Sequence, residues 1–423
     1  MEVFSINNYT TDLYEIKREI VNYSKKVSEG LKKPESKFLM DMMYGISKSK
    51  SLLISNVSRA LDEQIKLINT EARLCDNLSS FSEKEKEIVM KNYYKEVGSL
   101  FPEVPICIFD NSDIAKIYGK KFEDLCYVVD GSSKSKNKTV PGYHVCEAVA
   151  LTKKEKQPIS LYSKIYSTES KEFESMNRVT IESLNTVRSV FRRPIIGVFD
   201  RGYDAEEFYK EFFGTYDKFI IRMKERHLVF KDKKRLNTEV AKKRKGKIKL
   251  TLPFEDGIEV SVSYTRVKLP KYEEELQYII VYGLSEEEPM MLLTNILENG
   301  KESIEKIVRL YMYRWRVEEY FRVKKQEYDF ENMRVRTIQS MNILNLMVTL
   351  VMGYNGMLAE KLDKKLLCIK IIERSKSFKT KICTWLYQMA RGIYNILSFA
   401  KTGVKEYQKI EKRKKNIQLS LKL

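Results

Sequence analysis

The stretch RPIIGVFDRGYDAEEFYKEFF, residues 193–213, reads as a buried strand, a turn at Gly202 and a helix. Its front half has an echo earlier in the chain. PICIFD (105–110) and PIIGVFD (194–200) share a proline, an apolar run and a closing Phe-Asp. Each reading puts an aspartate, Asp110 or Asp200, at the carboxyl end of a strand, where open α/β sheets collect ligands and catalytic groups. If the strands are parallel neighbours, the two carboxylates sit side by side. Adjacent carboxylates resist joint ionisation unless a cation neutralises them, and hard oxygen ligands select Mg²⁺ or Mn²⁺. A strand-ending Asp also serves as an ordinary turn or N-cap residue, so the pair alone does not decide the chemistry.

A second stretch, YMYRWRVEEYFRVKKQEYDFENMRV (311–335), mixes aromatic and charged residues too densely for a plain core or solvated helix. On a helix with Tyr311 at zero, Arg314, Glu318 and Lys325 fall near about 300°, 340° and 320°, one arc of roughly 60°. Leu310, Val317 and Phe321 form an apolar strip beside it. Such a helix packs on the sheet and presents Glu318 as a third carboxylate, flanked by a guanidinium that grips phosphate bidentately and an ammonium point charge. Exposed Glu–Lys and Glu–Arg pairing explains the charges, but not why four different functional side chains share one line.

Around these segments the pattern organises the chain. Residues 1–98 show helical spacing, with Pro34 after the first long helix and a Gly- and Ser-rich break, GISKSKSLL (45–53), that suits either a helix-turn-helix or simple packing. Residues 99–225 hold strands, then a helix over roughly 169–191, then strand and helix in alternation. Residues 226–297 alternate apolar and polar, with Glu255-Asp256-Gly257 as a hairpin signal, and predict an antiparallel β insertion. Residues 298–350 contain the charged aromatic helix, and 351–423 are helical and basic, with the charged stretch KEYQKIEKRKKN at 405–416. The predicted class is α/β: a mixed sheet with helices on both faces, interrupted by the insertion and flanked by helical regions.

Lys and Arg outnumber Asp and Glu by 77 to 58, a net charge of +19, which points to a polyanionic partner, most simply nucleic acid. A Lys-biased genome gives the same excess without any partner. No apolar run approaches the length of a membrane span, and the start is polar and acidic, so a cytoplasmic protein without a membrane partner is expected. Cys75, Cys107, Cys126, Cys146, Cys368 and Cys383 are scattered, with His144 and His227 the only histidines, which disfavours a zinc site or a disulfide framework.

The spacing Tyr-x2-Arg-x3-Glu-x6-Lys, met by Tyr311, Arg314, Glu318 and Lys325, resembles the signature of the bacterial insertion-sequence transposases of family four. That family has a DDE triad on an RNase H-like fold. Asp110 in IFDNSD resembles the first catalytic Asp and Asp200 in VFDRG the second, with Arg201 where the family usually has a basic residue. VVDGSSKSKNKTVPGYHV resembles the hairpin after the first Asp, and MMLLTN the strand that closes the insertion. The likeness covers roughly residues 100–350. It implies DNA cleavage and strand transfer at inverted terminal repeats, with two Mg²⁺ or Mn²⁺ ions held by Asp110, Asp200 and Glu318. It also implies terminal phosphates gripped by Arg314 and Lys325, Tyr311 near the cleaved end, and a homodimer on double-stranded DNA, associated with the nucleoid when bound. Arg222 and Lys224 alternate out of FIIRMK toward one face and are candidate DNA contacts; Trp315 is a candidate stacking residue, although a core or surface role is the commoner fate of a Trp. Asp113 and Asp130 compete with Asp110 for the first ligand position. The flanks 1–98 and 351–423 would bind ends or mediate pairing by position alone. A transposase-derived DNA-binding protein without catalysis, or a metal-dependent nuclease of the same fold, fits the same residues.

Overall fold

The computed structural model describes residues 3–129, 138–252, 257–285, 288–376, 385–404 and 408, with side chains from residue 11 onward. It opens on five helices: α1 (Val3–Val27), α2 (Lys33–Ser49), α3 (Ile54–Leu61), α4 (Leu67–Ser80) and α5 (Glu83–Gly98). Pro34 stands in the first turn of α2, where its missing N–H is no loss. Ser82 and Glu85 close a reciprocal capping box that starts α5. Of the Gly- and Ser-rich break, residues 45–49 continue α2 and only 50–53 leave the helix: Lys50 caps α2 in the left-handed conformation, φ 52°, and α3 packs back on α2. Gly45 permits that close crossing, since a Cβ there would lie 2.5 Å from Val57 Cγ1.

Next come β1 (Ile106–Ala115), β2 (Cys126–Val129), β3 (Thr139–Leu151) and β4 (Pro158–Tyr166), then α6 (Met176–Phe191), β5 (Ile196–Phe199), α7 (Glu206–Phe212) and β6 (Lys218–Arg222). β3 is antiparallel to β1 and β4, while β1, β5 and β6 run parallel in that order. Three antiparallel strands followed by two parallel ones reached through helices form the RNase H-like core. Side chains alternate along β1. Asn111 faces α6, bonding Thr180 and Tyr203, whereas Asp110 faces the opposite layer of helices, so both faces are covered.

The segment between 226 and 297 forms β7 (His227–Phe230), β8 (Lys233–Leu236), α8 (Asn237–Lys243), β9 (Ile248–Leu252), β10 (Ile258–Lys268), β11 (Glu275–Tyr282) and β12 (Met290–Thr294). Its strands pair antiparallel. Two features differ from the sequence reading. The segment includes a short helix, and it extends the core sheet, because β12 pairs with β6 to give one sheet of 12 strands. The hairpin signal at Glu255-Asp256 lies outside the described residues; the flanking strands meet at Leu252 and Ile258.

The remainder is helical where described: α9 (Lys301–Met312), α10 (Trp315–Tyr328), α11 (Ile338–Ala359), α12 (Leu366–Arg374) and α13 (Leu386–Leu397). α11 is long and apolar enough by length and composition to cross a bilayer, where the sequence reading found no apolar run of that length. It is almost wholly buried, packing on β4, α2 and α13. Glu327, near the end of α10, pairs with Lys50 of the α2–α3 turn and with Arg391 of α13, so both helical flanks meet one buried carboxylate. Most of the closing segment KEYQKIEKRKKN lies outside the described residues, as do Cys383 and Asp130; Cys75, Cys107, Cys126, Cys146 and Cys368 are free thiols.

Gly45→Ala forces a methyl against a β-branched side chain and against the Val57 carbonyl at 3.2 Å. The expected cost is about 1–3 kcal/mol, read as a lower urea midpoint. An unchanged midpoint would show that the α2–α3 contact does not hold the helical region.

Candidate active site

The site begins with a register. β1 and β5 pair in parallel from Ile106–Ile196 to Phe109–Phe199, and the two phenyl rings stack at 4.8 Å. The next residues are Asp110 and Asp200, brought side by side by the ladder. One detail departs from expectation: Asp110 does not end its strand. β1 continues to Ala115 because β3 goes on pairing with it on the other edge, through Ala115–Gly142. Only β5 stops, at Phe199, one residue before Asp200. The segment between β1 and β2 consists of turns and bends.

Arg314 gathers the acids. Its guanidinium stands 3.8 Å from Asp110 Oδ2, 3.8 Å from Asp200 Oδ1 and 2.6 Å from Glu318 Oε1. Tyr311 donates its hydroxyl to Asp200 Oδ1 at 3.2 Å. Tyr311 thus meets Asp200, Arg314 meets both aspartates and Glu318 joins them through Arg314, yet not from one continuous helix. α9 ends at Met312 and α10 starts at Trp315. Between them Arg314 N–H bonds the Tyr311 carbonyl and Val317 N–H the Arg314 carbonyl, a tighter three-residue turn that replaces the single arc expected from α-helical phase. Lys325 lies two turns beyond Glu318 and holds the Asp113 carbonyl oxygen at 2.7 Å and Glu331 at 3.1 Å, not the carboxylate cluster.

Of the two competing acids only Asp113 is among the described residues, and it stands apart from the cluster. Asp113 points to the α6 side of β1, where His144 Nδ1 meets its Oδ1 at 2.8 Å. That carboxylate holds the imidazole charged well above its ordinary range, to about 9, against the opposing effect of burial. Asp130 lies outside the described residues. Trp315 is half exposed beside the helix break. Arg201 is exposed in the turn after Asp200, and Arg222 ends β6. Lys224 is tied by its backbone, its N–H bonding Asp204 Oδ2 at 2.7 Å, and its ammonium reaches the Gly202 carbonyl at 3.4 Å.

Burial pushes the Asp110 carboxyl up to about 7, with Asp200 and Glu318 adding to the rise; Arg314 and the Asn111 N–H oppose it without winning. One guanidinium therefore leaves the acids short of positive charge. Among the described residues no three His, Cys, Asp or Glu side chains stand close enough to share one ion as placed. The donor set nonetheless suits a hard divalent cation: three partly exposed carboxylates, all oxygen, converging on one positive group. Residues that sequence reasoning did not single out also shape the site. Asp204 is buried and binds Arg226, Tyr209 and the Lys224 N–H, fixing the loop after Asp200. Glu147, the ladder partner of Asp110, and Lys324, six residues beyond Glu318 on α10, form a buried pair.

Asp110 ionises near 3.8 in an unfolded chain and near 7 here, so the folded state binds the extra proton between those values. This contribution to stability is present at low pH, declines as pH rises from about 4 to 7 and is gone above. Asp110→Asn in metal-free buffer is expected to gain on wild type in melting temperature between about pH 5 and pH 8. The same shift at both pH values would mean that this carboxyl does not titrate there.

The transposase DDE domain family model matches residues 126–353, more than half of the chain. The match contains Asp200, Tyr311, Arg314, Glu318 and Lys325 and begins after Asp110. No curated protein sequence matches. Among solved structures, the piggyBac transposase synaptic complex with hairpin DNA aligns over 93% of this chain and 81% of its own, at 10% identity and TM-score 0.46. The Drosophila P element transposase strand transfer complex aligns over 79% and 80%, at 11% identity and TM-score 0.17. With its RNase H-like core and its carboxylates gathered on Arg314, the chain belongs to the transposase DDE domain family.

Proposed function

We propose that this transposase is of the Tyr-Arg-Glu-Lys group of insertion-sequence family four, cutting and rejoining double-stranded DNA at inverted terminal repeats. The observation that carries the reading is the convergence of Asp110, Asp200 and Glu318 on the Arg314 guanidinium. Asp110, Asp200 and Glu318 would hold two Mg²⁺ or Mn²⁺ ions, whose chemistry is to activate water or a 3′-hydroxyl and to stabilise the leaving oxygen. The chain's own groups do the rest. Tyr311 holds the Asp200 carboxylate by its hydroxyl, which fixes its orientation. Arg314, wedged among the acids, is the cation available to grip a phosphate oxygen in the same space. Lys325, set against the Asp113 carbonyl, places its ammonium along the same strand, and Arg201, Arg222 and Lys224 line the loop and sheet end beside Asp200.

The charge distribution supports a duplex partner. Residues 231–249 carry Lys231, Lys233, Lys234, Arg235, Lys242, Lys243, Arg244, Lys245, Lys247 and Lys249 against Asp232 and Glu239, a net of +8 (ten minus two) out of +19. All ten cations but Arg244 are exposed. This module is tied to the Asp200 loop through the Arg226–Asp204 pair and through Asn237, which bonds the backbone of Lys224 and Arg226. A homodimer bridging two DNA ends, in the cytoplasm, completes the reading.

The direct test uses DNA carrying the repeats that flank the gene, purified full-length protein, and Mg²⁺ or Mn²⁺. Wild type is expected to cleave at the repeat ends and to join them to added target, while Glu318→Gln binds the ends and loses cleavage by at least about a hundredfold. End binding by both proteins with cleavage by neither favours a DNA-binding protein without catalysis. Cleavage without joined products favours a nuclease. For the basic module, Lys233→Glu, Lys234→Glu and Arg235→Glu together are expected to weaken end binding. They should also flatten the slope of log K against log salt by about 2 to 3, near 0.9 per lost phosphate contact. An unchanged slope would remove the module from the interface.

A further inference from the structure

α10 carries a lysine where none is expected. Lys324 falls on the apolar side of the helix, near Val317, and is fully buried. Its ammonium meets Glu147 Oε2 at 2.9 Å and Ser163 Oγ at 3.0 Å, and lies 4.8 Å from the centre of the Phe330 ring. Glu147 of β3 is equally buried and accepts from the hydroxyls of Ser160 and, at 2.8 Å, Ser163 of β4. Asn345 of α11 donates to Ser163 Oγ at 2.8 Å. Every member of this network comes from an element that touches the candidate active site or the helix that covers it.

Glu147 is also the direct partner of Asp110 in the β1–β3 ladder, so both side chains project from the same face of the sheet. Lys324 lies six residues beyond Glu318 on one helix, about 9 Å along its axis. The four residues form a closed frame. The ladder fixes Glu147 relative to Asp110, and the helix fixes Lys324 relative to Glu318. The Glu147–Lys324 pair joins the two sides. Apolar contacts under α10 are non-directional and tolerate a slide or a roll. A buried, fully hydrogen-bonded ion pair does not, and its worth lies in placement more than in net stability.

We propose that Glu147 and Lys324 are positioning residues that set the Glu318 carboxylate against Asp110 and Asp200. This rests on the reading of Glu318 as a metal ligand. Neither residue touches DNA or a reacting atom. Their effect reaches the chemistry only through where Glu318 stands.

The test reads Mn²⁺ affinity of the full-length protein, alone and with repeat-end duplex, by electron paramagnetic resonance of free Mn²⁺. The Glu147→Met and Lys324→Met double variant replaces the pair by apolar side chains of similar volume, which leaves the fold standing more often than removing one partner does. It is expected to bind the end duplex as wild type does and to lose Mn²⁺ affinity by about tenfold or more, the usual effect of removing a partner that orients a ligand. Lys324→Arg, which keeps the charge, is expected to lose less, and it carries the test alone if the double variant does not fold. Placed on Glu318→Gln, the double variant is expected to add no further loss, because its effect runs through that carboxylate. Wild-type Mn²⁺ affinity in the pair variants, with affinity lost in Glu318→Gln, overturns the proposal. So does a loss that persists in full on the Glu318→Gln background, which marks a general structural role. Glu318→Gln binding Mn²⁺ as well as wild type instead overturns the reading of Glu318 on which the proposal stands.

Discussion

The parallel pairing of β1 with β5 is the constraint on which the rest of the structure depends. Four residue pairs in register, ending on the stacked rings of Phe109 and Phe199, leave Asp110 and Asp200 no choice but to be neighbours. Nothing in the local sequence relieves the repulsion that follows. Relief comes from a residue distant in the chain, Arg314, and it is incomplete, since burial still holds the Asp110 carboxyl up at about 7. The helices that follow β12 must therefore end where they do. α9 has to stop and α10 restart at the point where a guanidinium can reach both aspartates and Glu318 together.

That break marks the limit of what the sequence could show. The two Phe-Asp strands, the order of strand and helix and the antiparallel segment were legible because each is a local pattern of apolar alternation closed by a turn residue. The mid-strand position of Asp110 was not, because β1 is prolonged by pairing with β3, a non-local contact that its own run of residues does not announce. Nor was the turn at Tyr313–Arg314, since no Gly or Pro marks it. The switch to three-residue bonds is set by what the guanidinium must reach.

Glu147 and Lys324 were legible in a different way and passed unread. VCEAVAL places one acid inside an apolar strand, and Lys324 places one cation on the apolar side of a helix. A single such residue is an anomaly, because an isolated buried charge is costly. One of each sign, on two elements already expected to pack, is a pairing signal. Glu327, only three residues on and equally buried, repeats the logic with Lys50 and Arg391 from the two flanking helical regions.

α10 is thereby fixed at three levels: by Arg314 and Glu318 at its start, by Lys324 in its middle and by Glu327 near its end. Each level faces a different part of the molecule, namely the aspartates, the sheet interior and the helical flanks. The chain's positive charge is arranged to the same plan. Inside the fold Lys324 is matched to Glu147 and Arg314 is shared by three carboxylates, whereas eight of the nineteen net positive charges collect on the module between 231 and 249, whose anchor, Asp204, lies four residues after Asp200. A polyanion drawn to that module is drawn to a surface whose root is the loop that places the second aspartate. The buried Glu147–Lys324 pair and the Glu327 pairs hold α10 in place without competing with the surface charge for the partner, because they are already neutralised within the core.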